Sequence, residues 1–190
     1  MKNTFAILFL AASAFLAGCP CPPPTQFEAW HFENDCANET CGFNVTHGSA
    51  MRTDALVAGE HALQLTAGTQ MDQQLMERVP TAQLNQPFTV SVVARCEHRS
   101  SVQFTMVVSE TRTSGDAAFA IPTLRTISGV IAPTEHWDSH TATLGTMSVQ
   151  SGDAGAVTSA TIVSLQVEVD PLGDCWIDEL SLARGRSWCG

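Results

Sequence analysis

The sequence predicts an all-β protein, an antiparallel β-sandwich of the jelly-roll kind with about nine or ten strands stapled by disulfides. Three observations carry this expectation. Apolar residues recur with a period of two along most of the chain. Proline and glycine interrupt these runs at short intervals, as turns between strands require. No helical-period segments alternate with the runs, which argues against a parallel α/β sheet. At 190 residues, with 44% hydrophobic and 15% charged side chains, the chain is globular in composition and long enough for one domain with a real core.

Taken in order, the first segment is not part of the fold. Lys2 supplies a short positive start, residues 5–16 form an apolar stretch, and Leu16-Ala17-Gly18-Cys19 closes it. The stretch is too short to span a bilayer as a helix, which takes about 20 residues. The LAGC tetrapeptide resembles the lipobox of bacterial lipoproteins. That resemblance implies removal of residues 1–18 as a signal peptide, a diacylglycerol thioether on Cys19, and N-acylation (palmitate) of the new terminus. With each buried CH₂ worth about 0.8 kcal/mol, two or three chains hold a protein to a membrane durably. Pro20, rather than Asp, after the cysteine implies the outer membrane by analogy with lipoprotein sorting in diderm bacteria. The alternative is an ordinary secretory leader cut near Ala17 or Gly18. Residues 19–26, with Pro20, Pro22, Pro23 and Pro24, read as a stiff spacer, leaving 27–190 as the sandwich domain.

Within that domain, Val90, Val92, Ala94 and Cys96 alternate with Ser91, Val93 and Arg95, and Val102, Phe104, Met106 and Val108 alternate with polar partners. Each run reads as a strand with one core face. Residues 61–66, 71–76, 124–131, 137–144, 161–169 and 175–183 read similarly. The one helical candidate is a turn over 71–78, stopped by Val79-Pro80.

Seven cysteines less Cys19 leave six: Cys21, Cys36, Cys41, Cys96, Cys175 and Cys189. An even number in an exported chain implies disulfides, although six cysteines allow 15 pairings. Cys36 with Cys41 suits a local staple, Cys96 and Cys175 both lie in strand-like runs, and Cys21 with Cys189 would tie the chain ends together. Zinc is the competing reading, but there is no CxxC pair and the cysteines are dispersed.

Several segments resemble galactose-binding-like jelly rolls and related carbohydrate-binding modules, in the order those proteins use. Trp30-His31-Phe32-Glu33 is similar to their first strand, Cys41-Gly42-Phe43 to a Gly-Trp pair, and Gly59-Glu60-His61-Ala62-Leu63-Gln64-Leu65 to an S-G-x-x-A-L-x-L strand. The Trp137 run resembles a W-x-x-x-T-x-T strand, and Trp176-Ile177-Asp178-Glu179-Leu180-Ser181-Leu182 resembles their last strand. The chain departs in having Phe43 for the usual Trp, Glu179 for a second Asp, and no tyrosine. The resemblance implies a structural calcium held by Glu33, a carbonyl near Gly59 and Asp178, with Asp54 as an extra carboxylate; such oxygens suit that ion. It would also explain an acid on what reads as one strand face with Trp176, Leu180 and Leu182. The alternative is that Asp178 bonds an arginine or backbone amides and the disulfides do the stapling. No cofactor is otherwise required.

Function classes narrow from here. With 9 Lys+Arg against 19 Asp+Glu, the chain lacks the basic clusters that phosphate binding needs, so a nucleic-acid partner is excluded. The segment His136-Trp137-Asp138-Ser139-His140 holds metal- and triad-type side chains. On a strand, however, residues four apart are about 13 Å apart and cannot share an ion. No GxSxG elbow or phosphate-cradling loop occurs, so an enzyme is not expected. Sugar-binding sandwiches use exposed aromatic rings, and Trp137 and Trp188 are the candidates for ligand stacking. The expectation is a non-catalytic, membrane-anchored lipoprotein binding glycan at the cell envelope. The alternative is an envelope structural or protein-interaction lipoprotein with no sugar site.

Overall fold

The computed structural model describes residues 25–33, 36, 38–54, 61–80, 86–113, 121–146 and 156–184. It holds eleven strands in two antiparallel sheets, and no helix occurs among the described residues. The strands are β1 (Thr25–Trp30), β2 (Asn44–His47), β3 (Ala50–Asp54), β4 (His61–Leu65), β5 (Gln70–Val79), β6 (Pro87–Cys96), β7 (Val102–Thr113), β8 (Ile121–Ile131), β9 (Asp138–Thr146), β10 (Ala156–Val169) and β11 (Cys175–Arg184). A five-stranded sheet runs β2-β5-β10-β7-β8. The six-stranded sheet runs β3-β4-β11-β6-β9, with β1 also paired to β11.

The period-two runs explain the layering. Phe88, Val90, Val92, Ala94 and Cys96 of β6 face Val102, Phe104, Met106 and Val108 of β7 and Ile162, Leu165, Val167 and Val169 of β10 in one buried cluster. Trp30 is also in this core, its ring 5.2 Å from that of Phe43. The sandwich closes along one side where β8 meets β9. Gly129 of β8 makes this approach feasible, since a Cβ there would lie 3.0 Å from the Leu144 side chain and the Thr143 carbonyl.

Two expectations are corrected. The segment read both as a strand over 71–76 and as a helical turn over 71–78 is strand β5, hydrogen-bonded to β10 on one side and β2 on the other, so the helical reading falls. Its helix-like spacing of Met71, Leu75 and Val79 comes from irregular pairing: Met76 takes a positive φ of 55° and the β5–β10 register shifts between Ile162 and Ser164. Trp176 also does not share a face with Leu180 and Leu182. Cys175 and Ile177 point inward, Trp176 points outward, and a register shift between Asp178 and Ser181, with Glu179 at φ 46°, resets the alternation before Leu180.

The first strand lies earlier than the Trp30-His31-Phe32-Glu33 motif suggests. β1 begins at Thr25 and ends at Trp30, and Phe32 is buried beyond it with a positive φ of 55°. Short strands β2 and β3 are additions to the expected set. Their connection needs Gly48, where φ is +75° and a Cβ would sit 2.5 Å from Thr69 Oγ1.

Two of the expected disulfides are present, Cys36–Cys41 and Cys96–Cys175, the latter joining directly paired residues of β6 and β11. Cys21, Cys189 and Cys19 lie outside the described residues, as do residues 1–18.

Three charged residues are buried among those described, Glu110, Arg184 and Asp178. Glu110 on the inward face of β7 meets Arg112 at 2.9 Å and Arg125 of β8 at 3.7 Å. Arg184, fully buried at the end of β11, stacks its guanidinium 4.0 Å from the Phe88 ring centroid. Burial pulls its pKa down to about 10.

Candidate functional site

The outer face of the six-stranded sheet carries the aromatic surface that the core leaves over. Because Cys175 and Ile177 fill the core, Trp176 must point out, and the register sets it beside Gln64 of β4 and Arg95 of β6. Met51 of β3 pairs with Gln64 and extends the row. Trp137 enters from the other side, immediately before β9, whose Asp138 pairs with Ala94. The result is a ladder across the sheet: the Arg95 Cζ lies 4.3 Å from the Trp176 ring centroid and 5.5 Å from that of Trp137. Cation–π attraction holds the guanidinium between the two indoles, each of which is half-buried and keeps part of its surface in solvent.

Beside the ladder opens a cavity of about 400 Å³ lined by Arg95, Cys96, Glu97, His98, Glu135, His136 and Trp176. A second cavity of about 510 Å³, lined by Arg99, Ala132, Pro133, Thr134, Glu135 and His136, shares Glu135 and His136 with the first. Together they form a groove between the β6–β7 turn and the segment before β9. Both walls are fixed by backbone hydrogen bonds. The Cys96 amide donates to the Thr134 carbonyl at 2.8 Å, and the Glu97 amide donates to the Asp174 carbonyl at 2.9 Å. His98 and Arg99 take φ values of 52° and 59°, which turn the chain sharply at the groove edge. Volumes of this size suit a small ligand or a few sugar rings.

The opposite, five-stranded sheet presents a different outer face. Asn44, Asp72, Gln166, Thr105 and Ser128 fall in one row, and Gln70 donates to Glu168 at 3.1 Å in the next. Among the described residues this face carries no aromatic ring.

Of the stacking candidates, Trp137 is on the ladder and Trp188 lies outside the described residues. Trp176 and Arg95 complete the site, and sequence reasoning missed both. The alternation Cys175-Trp176-Ile177 was the available signal, since a disulfide cysteine fixes the inward face. The segment from His136 to His140 does not gather a metal set: β9 begins at Asp138, and no group of three or more His, Cys, Asp or Glu close enough to hold an ion occurs among the described residues.

Of the residues implied for calcium, Asp178 lies at a seam in the sheet and is within the electrostatic influence of Glu33. One edge of β11 is shared by two strands, with β4 pairing Cys175 to Ile177 and β1 pairing Leu180 to Arg184. Asp178 sits in the gap and is 1% exposed. Its Oδ1 accepts from the Glu179 amide at 2.7 Å, while Oδ2 has no hydrogen-bond partner. Burial raises its pKa, and the charges of Glu179 and Glu33 add to that. Glu33 Oε1 accepts from the His61 amide at 3.4 Å. Asp54 is exposed, with Oδ1 3.3 Å from His61 Nδ1, and Gly59 lies outside the described residues. An orphaned carboxylate oxygen within electrostatic reach of a second carboxylate fits the acidic half of a hard-cation site.

No family model matches the chain, and no curated protein matches it in sequence. Solved structures do match. The tandem CBM22-1-CBM22-2 domain of Paenibacillus barcinonensis Xyn10C is 14% identical over 86% of this chain and 46% of that one, with a TM-score of 0.50. The CBM22-1 xylan-binding domain of the same protein is 14% identical over 87% of this chain and 98% of that one, with a TM-score of 0.49. TmCBM61, solved with β-1,4-galactotriose, is 14% identical over 82% of this chain and 99% of that one, with a TM-score of 0.41. The class defined is therefore a two-sheet β-sandwich whose structural neighbours are carbohydrate-binding modules, and at these identities the likeness concerns the fold.

Proposed function

We propose that this chain is a non-catalytic, lipid-anchored envelope protein whose sandwich binds a glycan on the Trp137–Arg95–Trp176 face. The observation that carries this reading is the pair of part-exposed indoles aligned beside a groove with carboxylate and imidazole lining. Pyranose rings stack on such faces, and the polar lining suits their hydroxyls. Neighbouring structures named for binding xylan and galactotriose support the ligand class. Affinity electrophoresis against xylan and β-1,4-galactan tests it. Wild type should be retarded, and Trp137→Ala and Trp176→Ala should each weaken binding at least about tenfold with the circular dichroism spectrum preserved. Wild type that binds neither polymer, with or without calcium, defeats the sugar reading and leaves the envelope-protein one.

Anchoring at the outer membrane rests on the LAGC tetrapeptide and the proline-rich spacer. Labelled palmitate should be incorporated in a diderm bacterial host, and Cys19→Ala should abolish it; label retained in that variant refutes the anchor.

Calcium held between Glu33 and Asp178 belongs to the same reading, as a staple across the β1–β4 seam. A carboxylate whose folded pKa is raised destabilises the fold when charged. Without metal, stability therefore rises as pH falls from the raised folded value toward the unfolded one, and Asp178→Asn removes that burden. With chelator at neutral pH, Asp178→Asn should melt higher than wild type. With calcium, wild type should gain several degrees and the variant should not. A wild-type melting temperature indifferent to both chelator and calcium removes the metal.

A further inference from the structure

We infer that the ladder selects an acidic sugar, with Arg95 binding the carboxylate of a uronate residue; this rests on the glycan-binding reading above. Arg95 is the arginine that stands on the aromatic ladder, stacked against both indoles. Glu110 engages Arg112 and Arg125, and Arg52 donates to the Asn38 carbonyl at 2.9 Å, but no carboxylate of the described residues pairs with Arg95. Its contacts are the two indoles, and its buried Nε has no hydrogen-bond partner. Glu97 and Glu135 line the same cavity without forming an ion pair with it.

A guanidinium clamped between two rings has lost its rotamer freedom before any ligand arrives. Its planar fork of donors matches a carboxylate in bidentate fashion, a geometry that a neutral hydroxyl cannot reproduce. The indoles on either side supply stacking surfaces for the ring that carries the acid, or for its neighbour along the chain. The charge pattern then orients the sugar. Arg95 and Arg99 are the cations of the groove, whereas Glu97 and Glu135 repel a second acid and accept from hydroxyls.

The test uses the full chain and matched polymers: a glucuronoxylan, the same polymer after carboxyl reduction, and a sulfated galactan free of uronate. Wild type should bind the glucuronoxylan at least about tenfold more tightly than the reduced polymer and the sulfated galactan. Arg95→Gln should lose at least about tenfold on the acidic polymer and no more than about threefold on the reduced one, and Arg95→Lys should recover only part of the difference. Thermal melting of both variants checks that the sandwich is intact. Equal wild-type binding to glucuronoxylan and its reduced form overturns the role of Arg95 and leaves sugar binding standing. Equal binding to the sulfated galactan overturns the carboxylate assignment. Binding to none of the three overturns the glycan reading itself.

Discussion

Replacing Cys96 and Cys175 together by alanine is expected to cost about 4 kcal/mol of stability, read as a lower urea midpoint at unchanged slope. The two cysteines are separated by 79 positions in sequence, so the bridge closes a long loop and removes much of the unfolded chain's freedom. Both are buried in the core, so their removal also leaves a void between the sheets. The Cys36–Cys41 bridge closes a loop of only 5 and should cost about 2 kcal/mol when removed. A smaller loss for the long bridge than for the short one would contradict this ordering. The long bridge also bears on the site. Arg95 and Trp176 are the immediate neighbours of the two cysteines, and their strands pair through the bridged residues. Glycan affinity should therefore fall in the Cys96→Ala, Cys175→Ala variant and stay near wild type in the Cys36→Ala, Cys41→Ala variant.

Glu110→Ala should be the most damaging single charge deletion, at about 3 kcal/mol. The side chain of Glu110 is 2% exposed, and its carboxylate is the shared partner of Arg112 and Arg125. Removing it takes the shared carboxylate away from Arg112 and Arg125 at the edge of the core. Most of the cost is that stranded charge rather than the worth of the pairs, so a double-mutant cycle separates the two. Glu110→Ala combined with Arg112→Ala should be less destabilised than the sum of the single variants. Simple additivity would show that the network contributes nothing as a unit. Asp178 provides the contrast: it is equally buried but has no arginine, and its neutral replacement is expected to stabilise the metal-free protein.

Much of the layering was legible in the residues. Along β6, Val90, Val92, Ala94 and Cys96 declare one face because a side chain's direction in a strand is set by its own position. The same rule made the residue four places after His136 too distant to share an ion. Cys96 and Cys175 both fall in strand-like runs, which made their pairing one candidate among 15, and the register of β6 against β11 is what sets them opposite each other. The run from Met71 to Val79 was legible only as two alternatives, a strand and a helical turn, and the neighbouring β10 and β2 resolved it by offering ladder partners on both sides.

The site divides in the same way. Trp137 could be named from its motif and Trp176 carried a signal in the alternation Cys175-Trp176-Ile177, whereas Arg95 carried none. The sequence by itself determined a two-faced, period-two chain, an acidic surface and a cysteine inventory suited to an oxidising compartment. All of these are local or additive properties. The tertiary structure decided what no local pattern contains: which strands become neighbours, and where a register shift interrupts them. The irregularity after Asp178 leaves that carboxylate buried although Trp176, two residues earlier, faces out, and the β11–β6–β9 order places Arg95 between two indoles far apart in the chain. Register is set by hydrogen bonds between distant segments, and it is register that gives this sandwich its site.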